Sequence, residues 1–148
     1  MPLESRLFVK TSLVCLVLVA LWGMLMSIDE MLGVPIPSLW PIEHAHLAFV
    51  GWLLNLVMGI ALWFLPLDRA RFQQTQGRYP KRAPYFIYGA LNGGLLLRFI
   101  CEPNVSNSHV FALGLGFSAL LQTLAILGFI GIAWIRTRGA SHPAPGVR

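Results

Sequence analysis

The sequence predicts an all-α membrane protein, a bundle of four transmembrane helices in which neighbouring helices are antiparallel. Hydrophobic residues make up 56% of the 148 positions and charged residues only 11%, a balance far from that of a soluble domain. The apolar residues fall into four stretches, each near the length that crosses about 30 Å of hydrocarbon. Nearly all basic residues lie outside these stretches, and their distribution predicts the orientation.

The four predicted helices cover residues 7–28, 42–67, 84–101 and 109–135. Pro66 is expected to end the second helix, because proline has no N–H to donate to the preceding turn. The third stretch carries Asn92 and Arg98, so it can span a membrane only if these groups face other helices or the interface. We expect residues 1–138 to form one transmembrane domain and residues 139–148 to be a disordered cytoplasmic tail.

The basic residues predict which side each loop occupies. Ten of the 11 Lys and Arg residues are expected on one side: Arg6, Lys10, Arg69, Arg71, Arg78, Lys81, Arg82, Arg136, Arg138 and Arg148. By the positive-inside rule, that side is cytoplasmic, so both termini are inside and the segments 29–41 and 102–108 are outside. The net charge of +5 is therefore interpreted as a topology signal, and we expect a multi-pass protein of the cell's inner, cytoplasmic membrane, surrounded by the lipid bilayer. No aromatic residues interleave with a basic groove, so a nucleic-acid partner is not expected.

The predicted topology brings three histidines to one depth. The second and fourth helices both enter the membrane from outside, so His44, His46 and His109 lie at the outer face. With about 100° per residue, His44 leads a stripe of small or polar residues on the second helix, whereas His46 points nearly opposite. His109 leads a similar stripe on the fourth helix. The two stripes are Ala48, Gly51, Asn55 and Gly59 on the second helix and Ala112, Gly116, Ala119 and Thr123 on the fourth.

Two stripes of this kind, if they face each other, leave a slot with an imidazole at its outer end. Neutral imidazole is a common axial ligand of haem iron, and histidines from two parallel helices can hold a flat macrocycle between them. Imidazole also suits copper, so a copper site of His44, His46 and His109 is an alternative. In a further alternative the small residues serve close helix packing and the histidines are structural, in a non-catalytic subunit of a respiratory complex.

Two segments carry a resemblance to a known family. The run HAHLAFVGWLLNLVMGIALWFLP, from His44 to Pro66, resembles the second transmembrane helix of the large subunit in the haem-copper oxidase and nitric oxide reductase superfamily. The stretch LNGGLLLRF, from Leu91 to Phe99, is similar to a segment in short four-helix relatives of that subunit. The resemblance implies haem b as cofactor. The chain lacks the family's histidine cluster for copper and the active-site haem, so oxygen reduction is not implied.

The resemblance also implies ligands. His44 matches the family's low-spin haem ligand, because Gly51 and Trp52 keep the family's spacing from it, although a shifted alignment selects His46. The second ligand in the family comes from a later even-numbered helix, and His109 is the histidine here that can fill that role.

The expected function is that of a b-type cytochrome with one haem between the second and fourth helices near the outer face. Gly51, Gly116 and Asn55 would line its slot. Two filled axial positions favour electron transfer with a redox partner at the outer face. If one histidine dissociates, nitric oxide or oxygen sensing becomes the alternative. The pattern therefore predicts an electron-transfer or sensing cytochrome rather than an enzyme such as an oxidase.

Two further expectations concern the third and fourth helices. Arg98 precedes Glu102 by four residues, which favours a local ion pair, but a guanidinium also recognises carboxylates such as a haem propionate. Gly114 and Ser118 form a small-xxx-small face opposite the His109 stripe, and this face predicts a homodimer through the fourth helix.

Overall fold

The structure, a computed structural model, describes residues 1–67, 69 and 72–137, so the predicted tail lies outside the described residues. The described residues are helical, as the sequence predicts. The four long helices are α1 (Leu3–Leu32), α2 (Trp40–Phe64), α3 (Ala83–Cys101) and α4 (His109–Thr137). Short 3₁₀ turns at Gln73–Thr75 and Glu102–Asn104 lie in two of the connections. The middle of α2, Leu47–Leu54, is a π-helix.

Ordinary chain chemistry explains where the helices end. α1 stops at Gly33, whose φ of 69° is the left-handed conformation that glycine adopts freely. α2 ends at Phe64 and not at the predicted residue 67. Leu65 has a ψ of 139°, because the ring of the following Pro66 disfavours the helical conformation at the residue before it.

Three of the helices, α1, α2 and α4, are long and apolar enough to cross a membrane. α3 is not among them, in agreement with the polar residues that make it the weakest predicted span. Large apolar side chains cover the outward faces of the bundle, and Leu113 on α4 is 75% exposed. Surfaces of this kind suit lipid and are unfavourable in water, which supports a membrane location.

The helices pack as two antiparallel hairpins. α1 and α2 touch along their length: Cβ atoms built at Gly51 and Gly59 would lie 3.0 Å from Cys15 Sγ and 2.8 Å from Phe8 Cβ. α4 packs on α3, where Ser118 Oγ donates to the carbonyl of Gly94 at 2.7 Å. The two hairpins meet mainly where α3 lies against α2 and α1.

The α1–α2 and α3–α4 connections lie together at one end of the bundle, which we call the histidine end. The opposite end, the basic end, is tied by side-chain hydrogen bonds. Tyr79, between α2 and α3, donates to the Glu4 carboxylate at 2.7 Å. Arg136 at the end of α4 donates to the carbonyls of Leu62, Leu65 and Pro66, the last at 2.9 Å. Its guanidinium also lies 5.4 Å from the centre of the Tyr79 ring, so one arginine caps α2 and contacts the loop.

Candidate functional site

His44 lies between α1 and α2. A Cβ atom built at Gly23 of α1 would be 3.2 Å from the Cε1 atom of His44 and 3.7 Å from its Nε2 atom. The imidazole is half-buried and makes no hydrogen bond within the described part of the chain. The absence of a side chain at Gly23 is what allows the ring to approach α1 so closely.

The small stripe that His44 leads packs against α1. Gly51 and Gly59 have neighbours on α1 at distances that leave no room for a side chain, and Asn55 is fully buried. This is the close approach that small residues permit between membrane helices. It matches the packing alternative for the stripe and leaves no slot along this face of α2.

The small stripe of α4 has different surroundings. His109 and Ala112, Gly116, Ala119 and Thr123 are exposed, and a Cβ built at Gly116 would meet nothing within 4 Å. This stripe therefore faces away from the rest of the chain, and the two stripes do not face each other. The arrangement does not direct His44 and His109 to one iron, so a haem held between these stripes stays a prediction without geometric support.

His46 is half-buried, and its Nδ1 atom lies 2.9 Å from the carbonyl oxygen of Ile42 one turn before it. The described residues contain no group of three or more His, Cys, Asp or Glu side chains that could hold a metal ion. The copper alternative needs His44, His46 and His109 in such a group, and the described structure does not bring them together.

Arg98 and Glu102 form a local ion pair of 2.8 Å, with 18% and 11% of their side chains exposed. The predicted i,i+4 pairing is present, while a propionate contact of Arg98 stays a prediction. Sequence reasoning missed their neighbour Glu43, which is only 7% exposed and whose Oε1 atom finds no hydrogen-bond partner in residues 1–67, 69 and 72–137. The sequence alone does not indicate this burial, because it depends on how α2 packs in the bundle.

Two amides in the middle of the bundle, those of Asn55 and Asn92, bond to each other between α2 and α3. The Nδ2 group of Asn92 donates to Asn55 Oδ1 at 3.0 Å, and Asn55 donates back to Asn92 Oδ1 at 3.0 Å. The amide of Gln122 instead donates within α4, to Ser118 Oγ at 3.4 Å. Asn55, predicted to line a cofactor slot, is instead part of the α2–α3 contact.

The predicted dimer face of α4 is occupied within the chain. Ser118 is fully buried against Gly94, and a Cβ built at Gly114 would lie 2.5 Å from Cys101 Sγ. The small residues of this face therefore serve the α3–α4 contact. A homodimer through α4 stays a prediction, and it would have to use the exposed stripe of Gly116.

A cavity of about 660 Å³ opens sideways between α1 and α3, with α2 as its floor. Its wall is almost entirely apolar and includes three aromatic side chains at the histidine end. Trp22 lies 6.0 Å from Trp40 and 6.0 Å from Phe99, measured between ring centres. Towards the basic end, the cavity reaches the hydroxyls of Thr11 and Tyr88, which are 2.7 Å apart. Within the described part of the chain, the Nε1 group of Trp22 has no hydrogen-bond partner.

Sequence reasoning missed this cavity, because three separate helices contribute its wall. Nothing in the sequence links Trp22 and Trp40 to Phe99 or Tyr88. His44 does not line the cavity. It lies beside the floor, because Trp40 and Leu47, four residues before it and three after it on α2, do line the cavity. Comparison of the chain with protein-family models, with curated proteins and with solved structures found no match.

Proposed function

We propose that the chain is a four-span membrane protein with both termini in the cytoplasm, and that it binds an elongated lipid-soluble ligand in the lateral cavity between α1 and α3. The cavity is the observation that carries the proposal. Its volume of about 660 Å³ lies in the range of small-molecule sites, about 300–1,000 Å³. Its wall is apolar, so a ligand that arrives from the bilayer is favoured over one that arrives from water.

The shape of the cavity restricts the ligand. Its wall on α1 runs from Thr11 to Leu25, which corresponds to about 21 Å at a rise of 1.5 Å per residue. A cavity of about 660 Å³ with this length has a mean width of about 6 Å. A single extended hydrocarbon chain, or a flat ring that enters edge-on, suits this width better than a compact molecule does.

The polar groups of the cavity indicate one end of the ligand. The hydroxyls of Thr11 and Tyr88 hold two hydrogens, and the hydrogen bond between them uses one. The other hydrogen is available for an oxygen atom of the ligand. The amide of Asn92 is already satisfied by Asn55 and by the carbonyl of Tyr88. The chemistry is therefore that of a prenyl or acyl chain with an oxygen acceptor near Thr11 and Tyr88.

The contacts of α3 support its role as the fourth span. Asn92 pairs with Asn55, Arg98 pairs with Glu102, and the carbonyl of Gly94 accepts from Ser118. An unpaired polar group in hydrocarbon is costly, and these pairings lower that cost for α3, while Nε of Arg98 has no hydrogen-bond partner among the described residues. The charge distribution then favours the basic end as cytoplasmic.

A haem protein is the second candidate. The imidazole of His44 has no hydrogen-bond partner among the described residues and lies beside the floor of the cavity. Together with the resemblance of residues 44–66 to the haem-copper oxidase family, this favours His44 over His46 as an axial ligand of haem b. The haem would supply one-electron chemistry, or a site for nitric oxide or oxygen where one axial position is open. No group of metal-binding side chains among the described residues includes His44, so His109 could serve as the second ligand only after a rearrangement.

One experiment tests the cavity proposal. The protein is purified in a mild detergent, its organic extract is compared with that of the whole membrane by mass spectrometry, and Leu18→Trp is analysed in parallel. Leu18 belongs to the cavity wall, so tryptophan there should fill the cavity and remove a copurifying lipid. Val17→Trp is the matched control, because Val17 is exposed on the neighbouring face of α1.

The proposal predicts that one lipid-soluble species is enriched in the native and Val17→Trp proteins and lost in Leu18→Trp. Tyr88→Phe should weaken its retention, since it removes one of the two hydroxyl hydrogens. Extracts with the same composition as bulk lipid in all proteins would contradict it.

The same preparations test the haem candidate and the orientation. A Soret band that disappears in His44→Ala and persists in His46→Ala would support haem on His44, and a colourless native protein would contradict it.

For the orientation, a single cysteine is placed in a chain without Cys15 and Cys101. A membrane-impermeant maleimide added to whole cells should label Asn107→Cys but not Gln76→Cys. The opposite labelling would reverse the proposed topology.

A further inference from the structure

The π-helical segment Leu47–Leu54 changes which residues of α2 face which neighbour. A π turn closes from residue i to i+5, so it encloses one residue more than an α turn. The segment therefore holds about one residue more than an α-helix of the same height. One residue corresponds to about 100° of rotation, so the part of α2 before the segment is turned relative to Asn55–Phe64.

Asn55 satisfies the carbonyls at the end of this segment. Its Nδ2 group donates to the carbonyl of Val50 at 2.9 Å and to that of Gly51 at 3.1 Å, five and four residues before it. Its Oδ1 atom accepts from Asn92 of α3 at 3.0 Å. Asn55 is fully buried, so water cannot replace these bonds, and an apolar side chain here would leave carbonyls unpaired.

We propose that Asn55 and Asn92 are positioning residues that hold α2 in the π register and thereby set which helix His44 faces. In the observed register His44 faces Gly23 of α1, and Glu43 is buried within electrostatic reach of Arg98 on α3 and of Glu102 in the turn after it. If Leu47–Leu54 wound as an α-helix while Asn55–Phe64 stayed in place, each earlier residue would move by about one position.

The shift in register has a definite result. His44 would move to the position that Glu43 now occupies, opposite Arg98 and Glu102. Ala45 would take the place of His44 against Gly23, and Glu43 would move towards the exposed position of Ile42. The amide pair thus decides whether the imidazole belongs to the α1–α2 contact or to the α2–α3 contact. This inference does not depend on the identity of any ligand.

Cysteine cross-linking in the full chain, with Cys15 and Cys101 replaced by alanine, tests the register. The pair Gly23→Cys and His44→Cys reports the π register, because these residues are in contact. The pair Gly23→Cys and Ala45→Cys reports the α register. With both asparagines present, oxidation should cross-link the first pair and not the second. In Asn92→Leu, which leaves Asn55 without its partner, the second pair should become cross-linked and the first should lose its cross-link.

An unchanged cross-linking pattern in Asn92→Leu would overturn the proposal, as would cross-linking of the Ala45 pair in the chain with both asparagines.

Two deletions give a test that does not need the Asn92 variant to fold. Deletion of Phe49, an exposed residue of the π segment, removes the extra residue, so both parts of α2 keep their faces and the Gly23–His44 cross-link should persist. Deletion of Ile60, an exposed residue of the α-helical part, has no extra residue to absorb it and should abolish the cross-link. Equal loss of the cross-link in both deletions contradicts the proposal.

Discussion

The small-residue stripes of α2 and α4 have the same pattern in sequence and opposite surroundings in the structure. A Cβ at Gly59 would lie 2.8 Å from Phe8 Cβ and 3.1 Å from the carbonyl oxygen of Ser5, whereas a Cβ at Gly116 would meet nothing within 4 Å. Small residues allow two membrane helices to approach closely, but they do not select the partner. The pattern therefore predicts that an approach is feasible, and only the packing of the whole bundle decides whether it occurs.

The same contrast extends to how the two helices are held. α2 contacts α1 along its length, while α4 relies on α3 and on the hydrogen bonds of Arg136 at the basic end. The described hydrogen bonds between α4 and α2 are those that Arg136 donates to Leu62, Leu65 and Pro66. Substitutions that weaken only one of these attachments, the α1–α2 packing or the hydrogen bonds of Arg136, are therefore the most informative.

Arg136→Ala should have the largest effect on stability. The guanidinium is 3% exposed, and its loss leaves three carbonyls at the end of α2 without donors. Since a hydrogen bond from a charged group contributes about 1.5–3 kcal/mol, we expect the free energy of unfolding to fall by about 2–4 kcal/mol. Reversible unfolding in mixed SDS micelles, followed by tryptophan fluorescence, measures the change.

Arg6→Ala is the matched control, because it removes an exposed arginine from the surface of α1. An exposed arginine should contribute less than about 1 kcal/mol. If the two variants lose the same stability, the attachment of α4 to α2 through Arg136 does not matter as argued.

Gly59→Ala and Gly116→Ala compare the two stripes directly. The methyl group at residue 59 would overlap Phe8 and Val9, so we expect a loss of about 1–3 kcal/mol in the free energy of unfolding. The methyl group at residue 116 enters open space and favours the helix, so we expect no loss and a gain of up to about 1 kcal/mol. Unfolding in mixed SDS micelles measures the change in the free energy of unfolding for both variants. Marked destabilisation by Gly116→Ala would indicate that this stripe is covered in the membrane, as a homodimer through α4 would require.

The extent of the helices could be predicted well from the sequence, for local reasons. Apolar runs set α1, α2 and α4, proline at residue 66 set the end of α2 within a few residues, and the polar residues of α3 marked it as the weakest span. The pairing of Asn55 with Asn92 was also predictable in kind, because buried amides in a membrane need partners. Each of these features depends on neighbours in sequence or on the bilayer alone.

The faces of the helices could not be predicted from a regular helical wheel. The π segment at Leu47–Leu54 rotates the first part of α2 relative to the second part, and none of its residue types indicates a π-helix. The wheel also gave no indication that the His44 stripe faces α1 rather than α4. The cavity escaped prediction because Trp22, Trp40 and Phe99 come from three helices, and only their packing brings the rings of Trp40 and Phe99 to 6.0 Å from that of Trp22.

The smallest effect is expected at Tyr79, which links the basic end to α1. Burial, and then the hydrogen bond to Glu4, raise the pKa of the Tyr79 hydroxyl above its ordinary value. A raised pKa means that the fold favours the neutral phenol, so this contribution to stability is complete below about pH 10 and is lost as the pH rises further. The native protein should therefore lose stability above that pH in the SDS unfolding measurement. Tyr79→Phe should show a smaller additional loss, because it has no hydroxyl to ionise. Tyr85→Phe, at an exposed position, should behave like the native protein, and an equal alkaline loss in all three would assign the effect to other groups.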